Sequence, residues 1–598
     1  AEMLALSLLL THTLSSQTTT LTSGKLIFTL DSTTFEYKIK IDGVEWFNSA
    51  GGSTHGFAFS SGGSTLSLGN GKLVAAGPPS TGSGADGIGT FASATLQWAA
   101  ATDPNTALFS TSVRAYGGNR AGALVFQQEW LGSTSSLAGG SAFPSLQTSS
   151  TAPPLGGSEY TGSSCGFMTR HRSGFAASGG KGNGYLIFTE RDSTAAGRGA
   201  NHTIAMGPLT AHFVNQAHMD GESVVAYGMA SSFESAPEKF SLETIMVLSS
   251  RGDDPAKLSP MSAPERVSVV SGGTNAALFE YGDAQLAYNK KNRARGDHNQ
   301  ETKFLGYSVT GYYFYNICDC TDITCAGNNA CKSCSTTGSP INSQSPEFLT
   351  RAATPGVCQT YEDTLLAVDA ALIAQQIPYR SILLDSWWYG ENVYGGANLW
   401  EDLPACVGAN GSNAFPRGLK AFKETLNSLH GANETITLWG HNGKWTSNSE
   451  YRKSYDFEAD NGPPQGDGVW EHLFGGATSA GLQTIKQDHM GEQMGSGAGN
   501  WKNTSVLKSW LDGMGVAASR HDVDVLYCCA PPSVHMTGVA VPAAFGVRAS
   551  PDYVWAPGGR LLKLPTVQWA IGPDNAFHWN GLGLLPYKDT FFSNSSAA

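Results

Sequence analysis

The chain reads as a multidomain β plus α/β protein, an N-terminal antiparallel β-sandwich followed by a (β/α)8-type barrel that is truncated at its C-terminal end. Three observations predict this. At 598 residues the chain is longer than one hydrophobic core serves, so at least two domains are expected. Its first part carries short alternating apolar runs between Gly/Ser/Pro-rich turns, the mark of many short antiparallel strands. Its second part alternates helical patterns with wholly apolar runs, the mark of buried parallel strands.

Residues 1–22 form a signal-peptide-like segment. "MLALSLLLTHTLSSQ", after Ala1 and Glu2, has a short apolar core followed by small polar residues. Residues 23–290 form the sandwich domain, with strands predicted at "KLIFTL", "FEYKIKI", "ATLQWAA", "ALVFQQEW", "GYLIFTE", "ESVVAYGMA" and "FSLETIMVL". Stretches such as "AAGPPSTGSGADG" are expected to be turns, and Trp98 and Trp130 are expected in the sandwich core.

Residues 300–598 form the barrel domain. "YEDTLLAVDAALIAQQ" has near-helical apolar spacing and precedes "YRSILLDSWWYG". The same unit recurs as "FPRGLKAFKETLNSLH" before "TITLWGHNGKW" and as "VLKSWLDGMGVAA" before "VDVLYCCAPP". About 300 residues of this pattern suit a barrel whose usual size is roughly 250. A Cys-rich insertion, 318–334, interrupts it with Cys318, Cys320, Cys325, Cys331 and Cys334. The run has no histidine, so disulfides are favoured over a zinc knuckle, and the fifth cysteine of the cluster would pair outside it, with Cys358 a candidate.

Composition narrows the function. Only 14% of residues are charged, the net charge is −12, and there are 72 glycines and 14 tryptophans. Nothing supplies the basic stripe that phosphate neutralisation requires, so nucleic acid is excluded and a neutral substrate is expected. Sequons at Asn201, Asn410, Asn433, Asn503 and Asn594 are N-glycosylation acceptors if the chain is secreted, which is the expected localisation. No later apolar run reaches the roughly 20 residues of a membrane span.

Catalytic groups of such barrels sit at the C-terminal ends of the strands. That filter selects Asp385 with Trp387 and Trp388, His441 with Asn442, Lys486 with Asp488, Cys528 or Cys529, and Arg548 with Asp552. In "TIKQDHMGEQM", a strand running into a polar loop, Lys486 and Asp488 share one face because side chains alternate. The same alternation predicts that Cys528 and Cys529 face opposite ways, and that one of Trp387 and Trp388 lines the site while the other packs. His441 is more commonly a structural donor than a catalyst, and His489 reads equally well as a solvated loop residue. Asp589 in "YKDTF" reads as a helix N-terminal feature or a subsite contact. Acids from different strands, cations and indoles make a sugar-binding constellation.

The series "LLDSWWYG", "HNGKW", "TIKQDHMGEQM", "LYCCAPPSVHM", "VRASPDYVW" and "LGLLPYKDTFFS" resembles the barrel of clan D glycoside hydrolases, nearest the α-galactosidase and raffinose synthase group of family 36. The resemblance covers roughly Leu305 to the end. It implies a secreted retaining α-glycosidase, α-galactosidase-like, with Asp488 as nucleophile and Asp552 as general acid and base. It implies that Lys486 and Arg548 bind sugar hydroxyls and hold Asp488 ionised, that Asp385 grips two hydroxyls, and that Trp387 and Trp388 form the subsite wall. His441 and Asn442, selected by the strand-end filter, join the expected substrate-binding residues, with an oligosaccharide or glycoconjugate as expected partner and no cofactor or metal expected.

The chain departs from the family pattern at Val309 and Thr310, where polar sugar-binding residues are expected, and in the Cys-rich run, which resembles a loop that narrows or caps the cleft. "KDTFFSNSSAA" resembles the seventh strand and the loop after it, which predicts a barrel without its eighth unit and two unpaired edges. A transglycosylase of the raffinose synthase type and a non-catalytic carbohydrate-binding or cell-surface structural protein are the rival readings. A metalloenzyme ranks below both for want of a His/carboxylate ligand set.

Overall fold

The computed structural model describes residues 18–588 except 51–55, 62, 134–139, 164–165, 174–183, 191–201, 220–223, 230–231, 251–272, 295–302, 310–360, 386–387, 394–395, 402–414, 416, 432–433, 446, 448, 459–461, 497–502, 551–553, 556–560 and 563–571. The segment 1–17, the Cys-rich insertion, Cys358, Thr310, Trp387, Asp552, Asp589 and every sequon but Asn503 lie outside the described residues.

The N-terminal region is built of antiparallel sheets. A seven-stranded sheet begins Thr18–Ser23, Leu26–Asp31, Tyr37–Ile41, Val44–Ser49, and a ten-stranded sheet has Ala123–Trp130 beside Ser241–Ser250 near its middle. Alternation drives this pairing: in Tyr37–Ile41 every second residue is buried. Aromatic side chains from the two sheets meet in one core, where Phe28 stands edge-on to Phe126 at 6.2 Å. Trp98 and Trp130 are buried in that core, and the Trp98 indole N–H donates to Thr111 at 2.8 Å.

Two elements here differ from expectation. The stretch read as a Gly/Ser/Pro-rich turn contains a strand, Ser80–Ala85, paired with Thr90–Ala100. Its side chains are almost all exposed, so it has no apolar alternation to reveal it; the partner strand's backbone supplies the order. Between the regions lies helix α1, Thr274–Tyr288, which the sequence did not suggest. It is buried on nearly all sides, against strands His202–Pro208 and Ser241–Ser250 and against a later helix, so it shows no amphipathic stripe.

The C-terminal region is a parallel sheet of seven strands in sequence order: β1 Leu305–Val309, β2 Tyr379–Leu384, β3 Thr437–Asn442, β4 Leu482–Gln487, β5 Asp524–Tyr527, β6 Ala544–Arg548 and β7 Leu585–Tyr587. Helices α2 Tyr361–Ala374, α3 Gly418–Leu429, α4 Gly468–Ala480, α5 Met490–Ser496, α6 Thr504–Arg520, α7 Pro532–Met536 and α8 Gly572–Gly581 accompany the strands. In α3 the stripe Leu419, Phe422 and Leu426 is buried. Helix α4 stops at Gly481, whose φ of 91° closes a left-handed cap. Asn503 caps α6 by accepting the Ser505 N–H. Among the described residues β1 and β7 are the two ends of the sheet and do not pair with each other. No described helix is long and apolar enough to cross a membrane.

The segment expected to be a polar loop after Lys486 and Asp488 is helix α5. Its two glycines are poor helix formers, but Met490 is fully buried and the Gly491 N–H donates to the Cys529 carbonyl at 2.7 Å, so tertiary contacts override propensity.

Helix α1 ties the two regions together. The Tyr281 hydroxyl donates to the Pro208 carbonyl at 2.8 Å, and α1 passes so close to the end of α8 that a Cβ on Gly282 would lie 2.0 Å from the Gly581 carbonyl oxygen. Just beyond α1, the Lys291 ammonium donates to the carbonyls of Gly538, Val541 and Ala544, holding the approach to β6.

Candidate active site

Parallel register brings the site together. Leu384 of β2 pairs with Gly440 of β3, which pairs with Ile485 of β4, and the next pair is His441 with Lys486. Asp385, directly after β2, therefore stands level with His441 and Lys486. One step further along, Gln487 pairs with Tyr527 and Tyr527 with Val547, which brings Asp488, Cys528 and Arg548 to a common level. Beneath lies a separate apolar cluster of Leu383, Trp439, Leu526 and Phe545, edged by Leu585 and Tyr587. It forms an apolar floor under the polar ends of the strands.

At the centre is Asp488. Lys486 Nζ lies 3.6 Å and His441 Nε2 lies 3.4 Å from its Oδ2, and these side chains are nearly inaccessible. The His489 backbone N–H donates to Asp488 Oδ1 at 2.6 Å. Burial alone would raise this carboxyl's pKa, but the Lys486 charge, the His441 hydrogen bond and the nearby His489 outweigh it and hold Asp488 well below the usual carboxylate range. Lys486 and Asp488 thus share one face, as alternation requires.

A second tier orients these groups. Tyr389 Oη lies 3.1 Å from His441 Nδ1 with the two rings stacked, and the Trp400 indole donates to the His441 carbonyl at 2.8 Å. His489 adopts a left-handed φ of 51°, and its Nδ1 lies 3.2 Å from Glu492 Oε1, one turn on in α5. Lys444 Nζ reaches the other oxygen of Glu492 at 2.7 Å. The His489 contact chiefly lowers the Glu492 pKa, to about 2. Burial opposes a charge on His489, but the Glu492 hydrogen bond and the Asp488 charge raise its pKa overall. His489 is a charge partner of the site, and it is not a solvated loop residue.

Arg548 is buried at the end of β6. Its Nε donates to the Ser550 carbonyl at 2.6 Å, and its Nη1 lies 3.4 Å from both Cys528 Sγ and Cys529 Sγ. The described charge partners of Asp488 are Lys486, His441 and His489. The two cysteines do not diverge. β5 ends at Tyr527 and Cys529 turns to a left-handed φ of 46°, which brings the sulfurs within 3.6 Å of each other.

The Asn442 carbonyl accepts the Asp488 N–H at 2.7 Å, but the Asn442 side chain is turned away from the Asp488 carboxyl. It follows His441 in the strand, so it faces the other way, and its amide donates to Gln487 Oε1 at 2.8 Å. Trp388 is buried and packs edge-on against Trp400 at 5.1 Å and Tyr389 at 5.6 Å.

The turn after β6 is held from the sandwich. The Tyr160 hydroxyl donates to Asn575 Oδ1 at 3.0 Å, and Asn575 Nδ2 donates to the Ala549 carbonyl at 2.8 Å. These two residues lie hundreds of positions apart, and no sequence signal links them. His489 and Glu492 could have been found, because their spacing of three is the helical contact spacing.

No family model matches the chain, and no curated protein matches it. Solved structures do resemble it at low identity. One is a glycoside hydrolase family 97 enzyme from Pseudoalteromonas sp. strain K8 in complex with panose, with a TM-score of 0.45 at 11% identity over 89% of this chain and 69% of that one. Another is the galactosidase domain of the α-galactosidase-sucrose kinase AgaSK, with a TM-score of 0.48 at 10% identity over 98% and 84%. A third is the α-N-acetylgalactosaminidase NagBb from Bifidobacterium bifidum, with a TM-score of 0.43 at 11% identity over 89% and 80%.

Proposed function

We propose that the chain is a retaining α-glycosidase, α-galactosidase-like, acting on terminal α-galactosides of an oligosaccharide or glycoconjugate outside the cell. The observation that carries this reading is the buried Asp488 carboxylate, kept ionised by Lys486 and His441 at the C-terminal end of a parallel strand above an apolar floor. An ionised carboxylate taken out of water at that position is a nucleophile in waiting.

In this mechanism an Asp488 oxygen attacks the anomeric carbon. The bond to the aglycone oxygen breaks, and that oxygen takes a proton from Asp552. Asp552 then removes a proton from water, which attacks the anomeric carbon, and the Asp488 ester bond breaks with retention of configuration. Retention requires the two carboxyl groups about 5–5.5 Å apart. Lys486 and His441 stabilise Asp488 as it departs from the ester, and Asp385, level with them just after β2, binds sugar hydroxyls.

The test is a panel of aryl α-galactosides, α-glucosides and α-N-acetylgalactosaminides offered to the wild type and to Asp488→Ala. Release of the aryl group from the α-galactoside by the wild type, lost in the variant, supports the reading. No turnover of any member, or unchanged turnover in the variant, overturns it.

A further inference from the structure

Two imidazoles flank the Asp488 carboxylate from different elements, His441 at the end of β3 and His489 at the start of the α5 turn. One ligand atom from each of His441, Asp488 and His489 lies within 4.8 Å of the others. His441 Nε2 and Asp488 Oδ2 stand 3.4 Å apart. Zinc bonds of about 2.0–2.2 Å in tetrahedral geometry set neighbouring ligand atoms about 3.3–3.6 Å apart. That edge of a coordination tetrahedron is already in place.

The outer contacts match the same chemistry. Metal-binding histidines commonly have the second ring nitrogen held by a carboxylate or another polar group, which fixes tautomer and orientation. Here His489 Nδ1 meets Glu492 Oε1 at 3.2 Å, and His441 Nδ1 meets Tyr389 Oη at 3.1 Å. Two nitrogens and one carboxylate oxygen suit a borderline cation such as zinc and not calcium or magnesium, which need several oxygen ligands. Lys486 Nζ, 3.6 Å from Asp488 Oδ2, opposes the ion by charge and sets a limit on its affinity.

We infer that His441, Asp488 and His489 together bind one zinc-class divalent cation, and that this ion and the sugar exclude each other. The ion site stands on geometry alone. The exclusion rests on the glycosidase reading, because an Asp488 oxygen bonded to a metal cannot attack an anomeric carbon.

Isothermal titration of zinc chloride into the metal-free full chain tests the site, with near-ultraviolet circular dichroism confirming that each variant is folded. The expected result is one saturable site that magnesium does not fill. Glu492→Gln should weaken it by about tenfold, His489→Ala and Asp488→Asn should weaken it further, and Lys486→Met should tighten it. Absence of saturable zinc binding overturns the proposal. So does an affinity unchanged by His489→Ala, or a loss that follows Cys528→Ser instead, since the free Cys528 thiol also lies within ligand reach of Asp488. Zinc that binds with the expected pattern yet leaves aryl glycoside hydrolysis untouched would overturn the exclusion and leave the ion site standing.

Discussion

Lys486→Met is the sharpest perturbation of the site, because it removes the charge that does most to hold Asp488 ionised while nearly keeping the shape of a side chain that is 2% exposed. At the observed 3.6 Å and an effective dielectric constant of about 20, the ion pair has a Coulomb energy of about 4–5 kcal/mol. His441 and His489 remain beside the carboxylate and retain part of its depressed pKa. Even a third of the lost energy moves a carboxylate's titration by about one pH unit. The sign follows from burial: without the lysine, desolvation favours the neutral acid, so Asp488 accepts a proton at higher pH. The assay is the pH profile of kcat/KM on an aryl α-galactoside, whose acidic limb reports an essential base in the free enzyme. That limb should move to higher pH in Lys486→Met and return in Lys486→Arg. An acidic limb that stays where the wild type has it would refute the claim that Lys486 keeps the nucleophile ionised.

Other outcomes follow from contacts away from Asp488. Gly282→Ala puts a methyl 2.0 Å from the Gly581 carbonyl oxygen and should cost about 1–3 kcal/mol in urea unfolding, whereas Gly476→Ala, with open space at its Cβ, should add about 0.5–1 kcal/mol. Tyr160→Phe leaves the Asn575 carbonyl oxygen without its donor; a cost of about 1 kcal/mol and a lower kcat/KM are expected, and unchanged kinetics would separate the sandwich from the site. Burial pulls the His212 pKa down to about 4; burial and then the Arg548 charge pull that of His535 down to about 3. The unfolded chain binds these protons near pH 6.5 and the folded chain does not, so stability falls as pH drops from about 6.5 towards these values. At pH 5 the loss should be about 2 kcal/mol per imidazole, read as a lower urea midpoint than at pH 7, and a midpoint that rises instead would contradict the assignment.

Much of this architecture was legible because it rests on periodicity. The alternation in Tyr37–Ile41, the spacing of Leu419, Phe422 and Leu426, and the apolar run of Tyr379–Leu384 each announce the face they bury. Lys486 and Asp488 were placed on one face by the same rule. What stayed hidden depends on other physics. Strand Ser80–Ala85 is ordered by its neighbour's backbone, α1 is buried on nearly all sides, and the convergence of Cys528 and Cys529 follows from a left-handed residue that alternation does not anticipate. Asn442 shows the limit of naming strand-end residues in pairs, since of two consecutive side chains only one faces the site. The link from Tyr160 through Asn575 to Ala549 is a product of tertiary assembly and has no local signature.

The most direct test of the central claim is to trap the intermediate. The full chain is incubated with a 5-fluoro-α-galactosyl fluoride, which forms the glycosyl ester faster than water removes it, then digested and read by tandem mass spectrometry. The account predicts a single labelled peptide containing "TIKQD" with the sugar on Asp488, and no label in Asp488→Ala. A sugar carried on any other carboxylate, or turnover of the reagent with inversion and no label, would contradict it.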